Sequence, residues 1–385
     1  IQDRKTGTPY KDKDLEKLLA LETNILCIMQ SPTDGRIWLG TYGKGVWIYD
    51  KKADMGKRLT VWDWNYHSWI GSVVNDILED SHGNYWFATN TGLSMLDAQG
   101  EKHSFASRYL NGERGNTYRF NQIMEDERKR IWVASSNNGI VRINGNAKDA
   151  VSDMSFYLPH DGKLGSSAIS CICQDRYRRI WAASEVRGLF LYQEDKDRFV
   201  QMDEKLGVPG DAFFSIEEDN EGNLWLGTNV GLVKLNAPED ISQSTYYLYT
   251  TADGLQGNIF NRNASFKTSA GELLFGGNNG YNSFFPEQLK KDTLQIPVIV
   301  TDIKIFDRSW RILDKEVRDK ISPSAPEFTR KITLNHKQNS FSIEFATLQF
   351  AGLEDVQYAY RLEEVEPDWV HTDGTRPFAY YNNLE

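Results

Sequence analysis

Asp219-Asn220-Glu221-Gly222-Asn223-Leu224-Trp225-Leu226-Gly227-Thr228-Asn229-Val230-Gly231-Leu232 is the stretch that decides the fold. Leu224, Trp225 and Leu226 are apolar at consecutive positions, not alternating ones. A strand of that kind has to be covered on both faces. Gly222 stands three residues before the Trp, where a tight turn needs a residue that accepts positive φ. The acidic and polar residues ahead of it close an apolar strand, and Gly231-Leu232 opens another.

The same arrangement recurs along the chain. Ile37-Trp38-Leu39-Gly40-Thr41 is followed by Gly45, Tyr85-Trp86-Phe87-Ala88-Thr89 by Gly92-Leu93, Ile131-Trp132-Val133-Ala134-Ser135 by Gly139-Ile140, and Ile180-Trp181-Ala182-Ala183-Ser184 by Gly188-Leu189. Leu274-Phe275-Gly276-Gly277 is a degenerate sixth copy. The aromatic anchors stand at 38, 86, 132, 181, 225 and 275, so the gaps are 48, 46, 49, 44 and 50. That period excludes short solenoid repeats and matches a four-stranded propeller blade. The spacing therefore predicts an all-β chain whose main body, residues 24–290, is a β-propeller with six visible blades; six is a possible ring, and seven, common at this blade size, makes them part of a larger one. A blade cannot bury both faces alone, so the units have to stack around a ring. Residues 1–23 read as an N-terminal segment, the remnant of a preceding blade, with a weak helical pattern over 12–21.

The repeat stops at Phe284-Phe285-Pro286. Residues 297–306 (PVIVTDIKIF), 341–345 (FSIEF) and 356–362 (VQYAYRL) then read as longer alternating strands, and the polar stretch 307–327 as loops. Residues 291–385 are expected to form a smaller Ig-like β-sandwich, incomplete at its C-terminus. The chain starts at Ile1 rather than Met and ends at Glu385 in strand-like sequence, which suggests an excised portion of something longer.

Composition narrows the function. The chain has 385 residues, 40% hydrophobic and 25% charged, and a net charge of −10. That is enough for an ordinary core. It argues against a nucleic-acid partner, which calls for clustered Lys and Arg, and against docking on anionic lipid. No apolar run reaches the length of a membrane span. Cys27, Cys171 and Cys173 form no disulfide framework, and Cys27 and Cys171 fall at equivalent places in two repeats, as buried thiols would.

The unit D-x-x-G-x-[IL]-W-[IL]-G-T-x-x-G-L over residues 219–232 resembles the two-component regulator propeller repeat. Residues 276–289 (GGNNGYNSFFPEQL) resemble the closing blade of that family, and 297–306 with 358–370 (YAYRLEEVEPDWV) are similar to parts of the Y_Y_Y domain that follows it. The resemblance covers nearly the whole chain. It implies a periplasmic, ligand-sensing ectodomain of a hybrid two-component system, an inner-membrane protein of the kind gut Bacteroidetes use to detect glycan fragments. In such proteins a membrane helix, a cytoplasmic histidine kinase and a DNA-binding regulator follow. The implied role is control of polysaccharide-utilisation genes. The implied partners are an oligosaccharide, a second copy joined through the C-terminal sandwich, and an upstream propeller in the same chain. The family carries seven blades per propeller, and six are visible here.

Enzymatic readings are weaker. Sialidase-type Asp boxes place Asp five residues before the aromatic, whereas Asp80, Asp126, Asp175 and Asp219 stand six before theirs and Asp34 four before. Because these acids recur in every such unit, a role in the turn explains them better. A lyase or hydrolase of the streptogramin-lyase type is the best enzymatic rival. It calls for a convergent acid or base and a metal, yet the six His show no metal-ligand spacing. There is no phosphate loop and no nucleophile motif. The reading therefore expects no catalytic residues, no metal and no cofactor. A protein-interaction propeller is the third reading.

In a meandering blade the loops joining strands two and three share a face with those entering strand one. That face collects Tyr42 and Lys44, Asn137 and Asn138, Glu185 and Arg187, Asn278 and Asn279, with Arg119 and Asn121 beside them. Amides and ions bond sugar hydroxyls, and flat rings cover sugar C–H faces; an Arg can also fork onto a carboxylate or sulfate. Residues 61–69 (VWDWNYHSW) add Trp64 and Trp69 as candidate stacking rings.

Overall fold

The computed structural model describes residues 24–50, 55–59, 71–106, 118–144, 154–289, 297–347, 357–366, 369–374 and 377–384. The chain divides into two compact units, Ile1–Leu289 and Lys290–Glu385.

The first unit is a run of antiparallel meanders. Blade one holds β1 (Ile25–Gln30), β2 (Ile37–Thr41), β3 (Val46–Asp50) and β4 (Met55–Leu59). Blade two holds β5 (Val74–Glu79), β6 (Tyr85–Thr89), β7 (Gly92–Leu96) and β8 (Lys102–Ala106). Blade three holds β9 (Phe120–Glu125), β10 (Ile131–Ser135), β11 (Ile140–Ile143) and β12 (Met154–Tyr157). Blade four holds β13 (Ile169–Gln174), β14 (Ile180–Ser184), β15 (Gly188–Gln193) and β16 (Arg198–Gln201). Blade five holds β17 (Phe213–Glu218), β18 (Asn223–Thr228), β19 (Leu232–Asn236) and β20 (Thr245–Tyr249). Blade six has three described strands, β21 (Phe260–Lys267), β22 (Leu273–Gly277) and β23 (Gly280–Phe284). Each blade pairs its strands in sequence order, and each first strand packs against the first strand of the next blade.

The middle strands are buried at consecutive positions, as the sequence pattern demands. Trp86, Trp132, Trp181 and Trp225 sit between sheets, essentially without solvent contact. Two residues after the Trp, the second strands of blades one to five carry Gly or Ala. A Cβ on Gly40 would lie 2.4 Å from Cys27 Sγ and 2.7 Å from the Val74 carbonyl, so the approach of the next blade fixes the small residue.

The recurrent Asp explains the six-residue spacing. In blades two to five its Oδ2 accepts the indole N–H of the Trp: Trp86 to Asp80 at 2.8 Å, Trp132 to Asp126 at 2.8 Å, Trp181 to Asp175 at 2.8 Å and Trp225 to Asp219 at 2.9 Å. Oδ1 accepts two amides of the intervening turn, as from His82 and Asn84 to Asp80, both at 2.9 Å. One carboxylate thus closes the turn and satisfies the buried indole. Blade one has Asp34 displaced, and its Trp38 indole N–H finds no acceptor among the described residues. Blade six has no indole at Phe275, and Thr268 Oγ1 accepts the turn amide of Glu272 instead.

The turn residue three before the Trp is left-handed throughout these five blades: Gly35, Gly83 and Gly222 at φ 75°, 80° and 91°, but Lys129 and Arg178 at φ 64° and 65°. A side chain there is strained. Lys129→Gly is expected to raise stability by about 0.5–1 kcal/mol, the relief outweighing the added freedom of the unfolded chain. A higher urea midpoint would show it.

The second unit has a sheet ordered β25-β24-β26-β29, from β24 (Val298–Ile305), β25 (Arg308–Ser309), β26 (Phe341–Thr347) and β29 (Phe378–Tyr381), and a hairpin of β27 (Gln357–Tyr360) and β28 (Val370–Asp373). Ile303, Ile305, Phe341, Phe345, Tyr358 and Tyr381 share one core. The stretch 307–327, expected to be loops, contains a helix, Lys315–Ile321, and the correction has a physical cause. Ile321 is buried against the sheet, and that contact holds a helix whose other residues are mostly charged and exposed.

Candidate functional site on the loop face

Backbone bonds gather the loops of one face. In blades one to five the residue after the second strand donates to the loop entering the first strand of its own blade, as with Tyr42 N to Asn24 O at 2.8 Å, Asn90 N to Val73 O at 3.3 Å, Ser136 N to Arg119 O at 2.9 Å and Asn229 N to Ala212 O at 3.1 Å. Gly45, Gly139 and Gly188 donate onward to the next blade's entering loop, at Ser72, Ser167 and Asp211.

Beneath this face a bulge recurs near the start of each first strand, for example between Val74 and Asp76 and between Ile169 and Cys171. A bulge leaves one residue unpaired and turns it out of register. The freed side chain stitches blades together: Asn75 Nδ2 donates to Phe120 O at 2.7 Å, Asn121 Nδ2 to Ile169 O at 2.7 Å and Ser170 Oγ to Phe213 O at 2.6 Å. Asp76 adds a second stitch by accepting the Ile123 amide at 2.8 Å. Burial pushes the Asp76 carboxyl up to about 7, against the opposing pull of the Ile123 and Ile77 amides. Burial likewise pushes the Cys171 thiol up to about 12, so it is not poised as a nucleophile.

In blade six the bulge is wider, spanning Phe260 to Ser265. It carries Arg262 and Asn263 toward blades three and four. The Arg262 guanidinium pairs with Glu185, Nη2 donating to Oε2 at 2.6 Å and Nε lying 2.5 Å from Oε1 without a hydrogen bond to it, and Nη1 reaches Asn121 Oδ1 at 3.4 Å. Asn263, left-handed at φ 51°, donates from Nδ2 to Asn121 O at 3.0 Å.

The expected site residues fall into groups. Tyr42, Arg119, Arg187, Asn278 and Asn279 are exposed on the face, and Lys44 stands at its rim half-buried. Asn137 is committed to its own loop, accepting from Arg119 N at 3.1 Å and Ser135 Oγ at 3.0 Å. Asn138 Nδ2 has no partner. Asn279 is tied to Gln256. Glu185 and Asn121 are joined by Arg262, and Asn121 is 3% exposed, a link between blades beneath the surface. Trp64 and Trp69 lie outside the described residues. The residues that sequence reasoning missed are Arg262, Asn263 and Gln256. The irregular polar run Asn261-Arg262-Asn263, where a strand should alternate, was the available signal.

Among the described residues no group of His, Cys, Asp and Glu could hold a metal ion, and no helix is long and apolar enough to cross a membrane.

Comparison with known proteins gives the setting. Residues 68–91 and 207–230 match the family described as two component regulator propeller. The chain is 26% identical over 352 residues to Histidine kinase P4 of Formosa agariphila, a match covering 89% of this chain and 24% of that protein. The chain thus spans about a quarter of the length of that curated relative. Among solved structures, it is similar to the extracellular domain of a hybrid two component system from B. thetaiotaomicron, with a TM-score of 0.67, 22% identity and coverage of 94% of this chain and 46% of that one. It is also similar to the extracellular domain of a one component system from the same organism, with a TM-score of 0.52, 16% identity and coverage of 96% and 54%. This chain carries two-component regulator propeller repeats in an all-β fold, and a histidine kinase is among its relatives.

Proposed function

We propose that this chain is the periplasmic ligand-sensing region of a hybrid two-component sensor, that its ligand is an oligosaccharide bound on the loop face, and that the full protein controls polysaccharide-utilisation genes. The observation that supports this reading is the loop face itself, whose loops expose Tyr42, Arg119, Arg187, Asn278 and Asn279 and on which Arg262 of blade six meets Glu185 of blade four. Rings, amides and ions in that mixture suit sugar hydroxyls and C–H faces.

The ring is read as seven-bladed. Ile28 of β1 is 67% exposed, whereas its counterparts Ile77, Ile172 and Ile216 are at most 7% exposed against a neighbouring blade. Another blade packing on blade one accounts for that difference. The second unit is read as an Ig-like sandwich of the Y_Y_Y type that pairs with a second copy, with exposed Ile312 and Phe328 as apolar surface for that contact. Signalling then requires that ligand favour one dimer geometry over another, because equal affinity for two states shifts nothing.

The test is a thermal-shift screen of the chain against neutral and acidic oligosaccharides, with calorimetry on each hit. A saturable shift with one glycan class, and intact sugar afterwards, is the expected result. Consumption of the sugar would replace the sensor reading with a lyase or hydrolase, and silence across the panel would reject an oligosaccharide ligand for this chain.

A further inference from the structure

The geometry points to Arg262 as the receptor for an oxyanion on the ligand, a uronate carboxylate or a sulfate ester, with Glu185 as the built-in group that the ligand displaces. This deepens, and rests on, the reading of the loop face as a sugar site.

Four observations converge on it. First, Glu185 uses only half of the guanidinium: Arg262 Nη2 donates to Glu185 Oε2, while Nε lies against Oε1 without a hydrogen bond, and a guanidinium can take a ligand carboxylate or sulfate with two. Second, the pair is reachable: the Arg262 side chain is 42% exposed and that of Glu185 22%. Third, the local charge is opposite to that of the whole protein. With the entering loops included, this face carries Lys44, Arg119, Arg187 and Arg262 against Glu185 and Asp211, on a chain of net charge −10. Neither Arg119 nor Arg187 is ion-paired with a described residue. Fourth, polar atoms on the same loops are buried and unpartnered: Asn263 Oδ1 next to Arg262, Asn138 Nδ2 in blade three and Asn229 Oδ1 in blade five. Such groups are rare in folded proteins, and a polar ligand is one way to supply their partners.

A brace between blades would also use an Arg–Glu pair, and the two roles make opposite predictions for Glu185. If Glu185 competes with the ligand, removing its charge frees Arg262 and tightens binding. If the pair only braces the ring, removing either partner weakens everything alike.

The experiment is calorimetry on the 385-residue chain with two acidic probes, an oligogalacturonate and a sulfated galactan oligosaccharide, each beside its carboxyl-reduced or desulfated form. One acidic probe is expected to bind at least tenfold more tightly than its neutral form, and which one it is separates carboxylate from sulfate. Arg262→Gln should weaken that binding at least tenfold, Arg262→Lys less, and Glu185→Gln should tighten it several-fold. Unfolding in urea confirms that each variant folds. Equal binding of the neutral forms would overturn the oxyanion site and leave sugar sensing intact. So would acidic binding unchanged in Arg262→Gln, or weakened by Glu185→Gln. No binding by any of the four sugars would overturn the sugar site and this inference with it.

Discussion

Asp126→Ala is expected to lower the unfolding free energy by about 3–5 kcal/mol, the cost of breaking a buried charge pair from one side. The Asp126 carboxylate is fully buried and meets four donors: the amides of Arg128 and Arg130 at 2.9 and 3.0 Å, Arg130 Nε at 2.6 Å and the Trp132 indole at 2.8 Å. Alanine leaves the indole and the turn amides without an acceptor, and Arg130 keeps only its bonds to Glu194. Asp34→Ala is the control. Asp34 also sits in the turn before its blade's Trp, but it accepts only the Arg36 amide and an exposed ion pair, so its loss is expected to cost less than about 1 kcal/mol. Urea unfolding followed by circular dichroism compares the two. Equal costs would show that the indole–carboxylate bond contributes nothing special.

Asp197→Asn is expected to cost about 1–3 kcal/mol at neutral pH, discounted because the carboxylate is partly exposed. Asp197 sits at φ 47° and joins blades three and four. Its Oδ1 accepts from Tyr157 OH at 2.6 Å, Tyr192 OH at 2.7 Å and Arg142 Nη1 at 3.1 Å, and its Oδ2 from Lys163 Nζ at 2.8 Å. Burial opposes the charge, but the bonds from Lys163, Tyr157 and Tyr192 and the charge of Arg142 outweigh it, holding the carboxyl well below the usual carboxylate range. The sign follows from linkage: a depressed folded-state pKa gives stability that is complete above the unfolded value, about 4, and is lost as pH falls below it. The variant lacks that titration, so the gap between wild type and Asp197→Asn should narrow from pH 4 downward. A gap that stays constant with pH would exclude this carboxylate as a source of acid sensitivity.

The blades were legible in the sequence because burial on both faces forces consecutive apolar residues around each Trp, and because the indole bond fixes Asp at a constant spacing. Position 38 shows the rule by its exception: Asp34 is displaced, and the Trp38 indole is left unpaired among the described residues. The helix Lys315–Ile321 was not legible, since Ile321 is its one buried residue and one contact leaves no period to detect. The loop face was legible as a set of loops, because blade connectivity alone dictates which loops share it. Its central pair was not. Arg262 and Glu185 stand 77 residues apart, and the polar run Asn261-Arg262-Asn263 marks the bulge without saying which distant residue it meets. Asn121 was legible as a residue near the face, but its burial depends on what the blade-six bulge places over it.

That bulge also governs how the unit folds as a whole. A string of blades touching only their neighbours approximates a one-dimensional array, whose end units come and go with little effect on the middle. Arg262 and Asn263 add a chord. They tie the sixth blade to Asn121, 141 and 142 residues earlier in the chain, past the neighbour beside it. The entropy of closing a loop rises only with the logarithm of its length, so doubling the span adds about 0.6 kcal/mol to the cost of the link. At that small increment the chord couples the end of the array to its middle, so that blade six keeps these bonds only while blades three and four hold Asn121 and Glu185 in place.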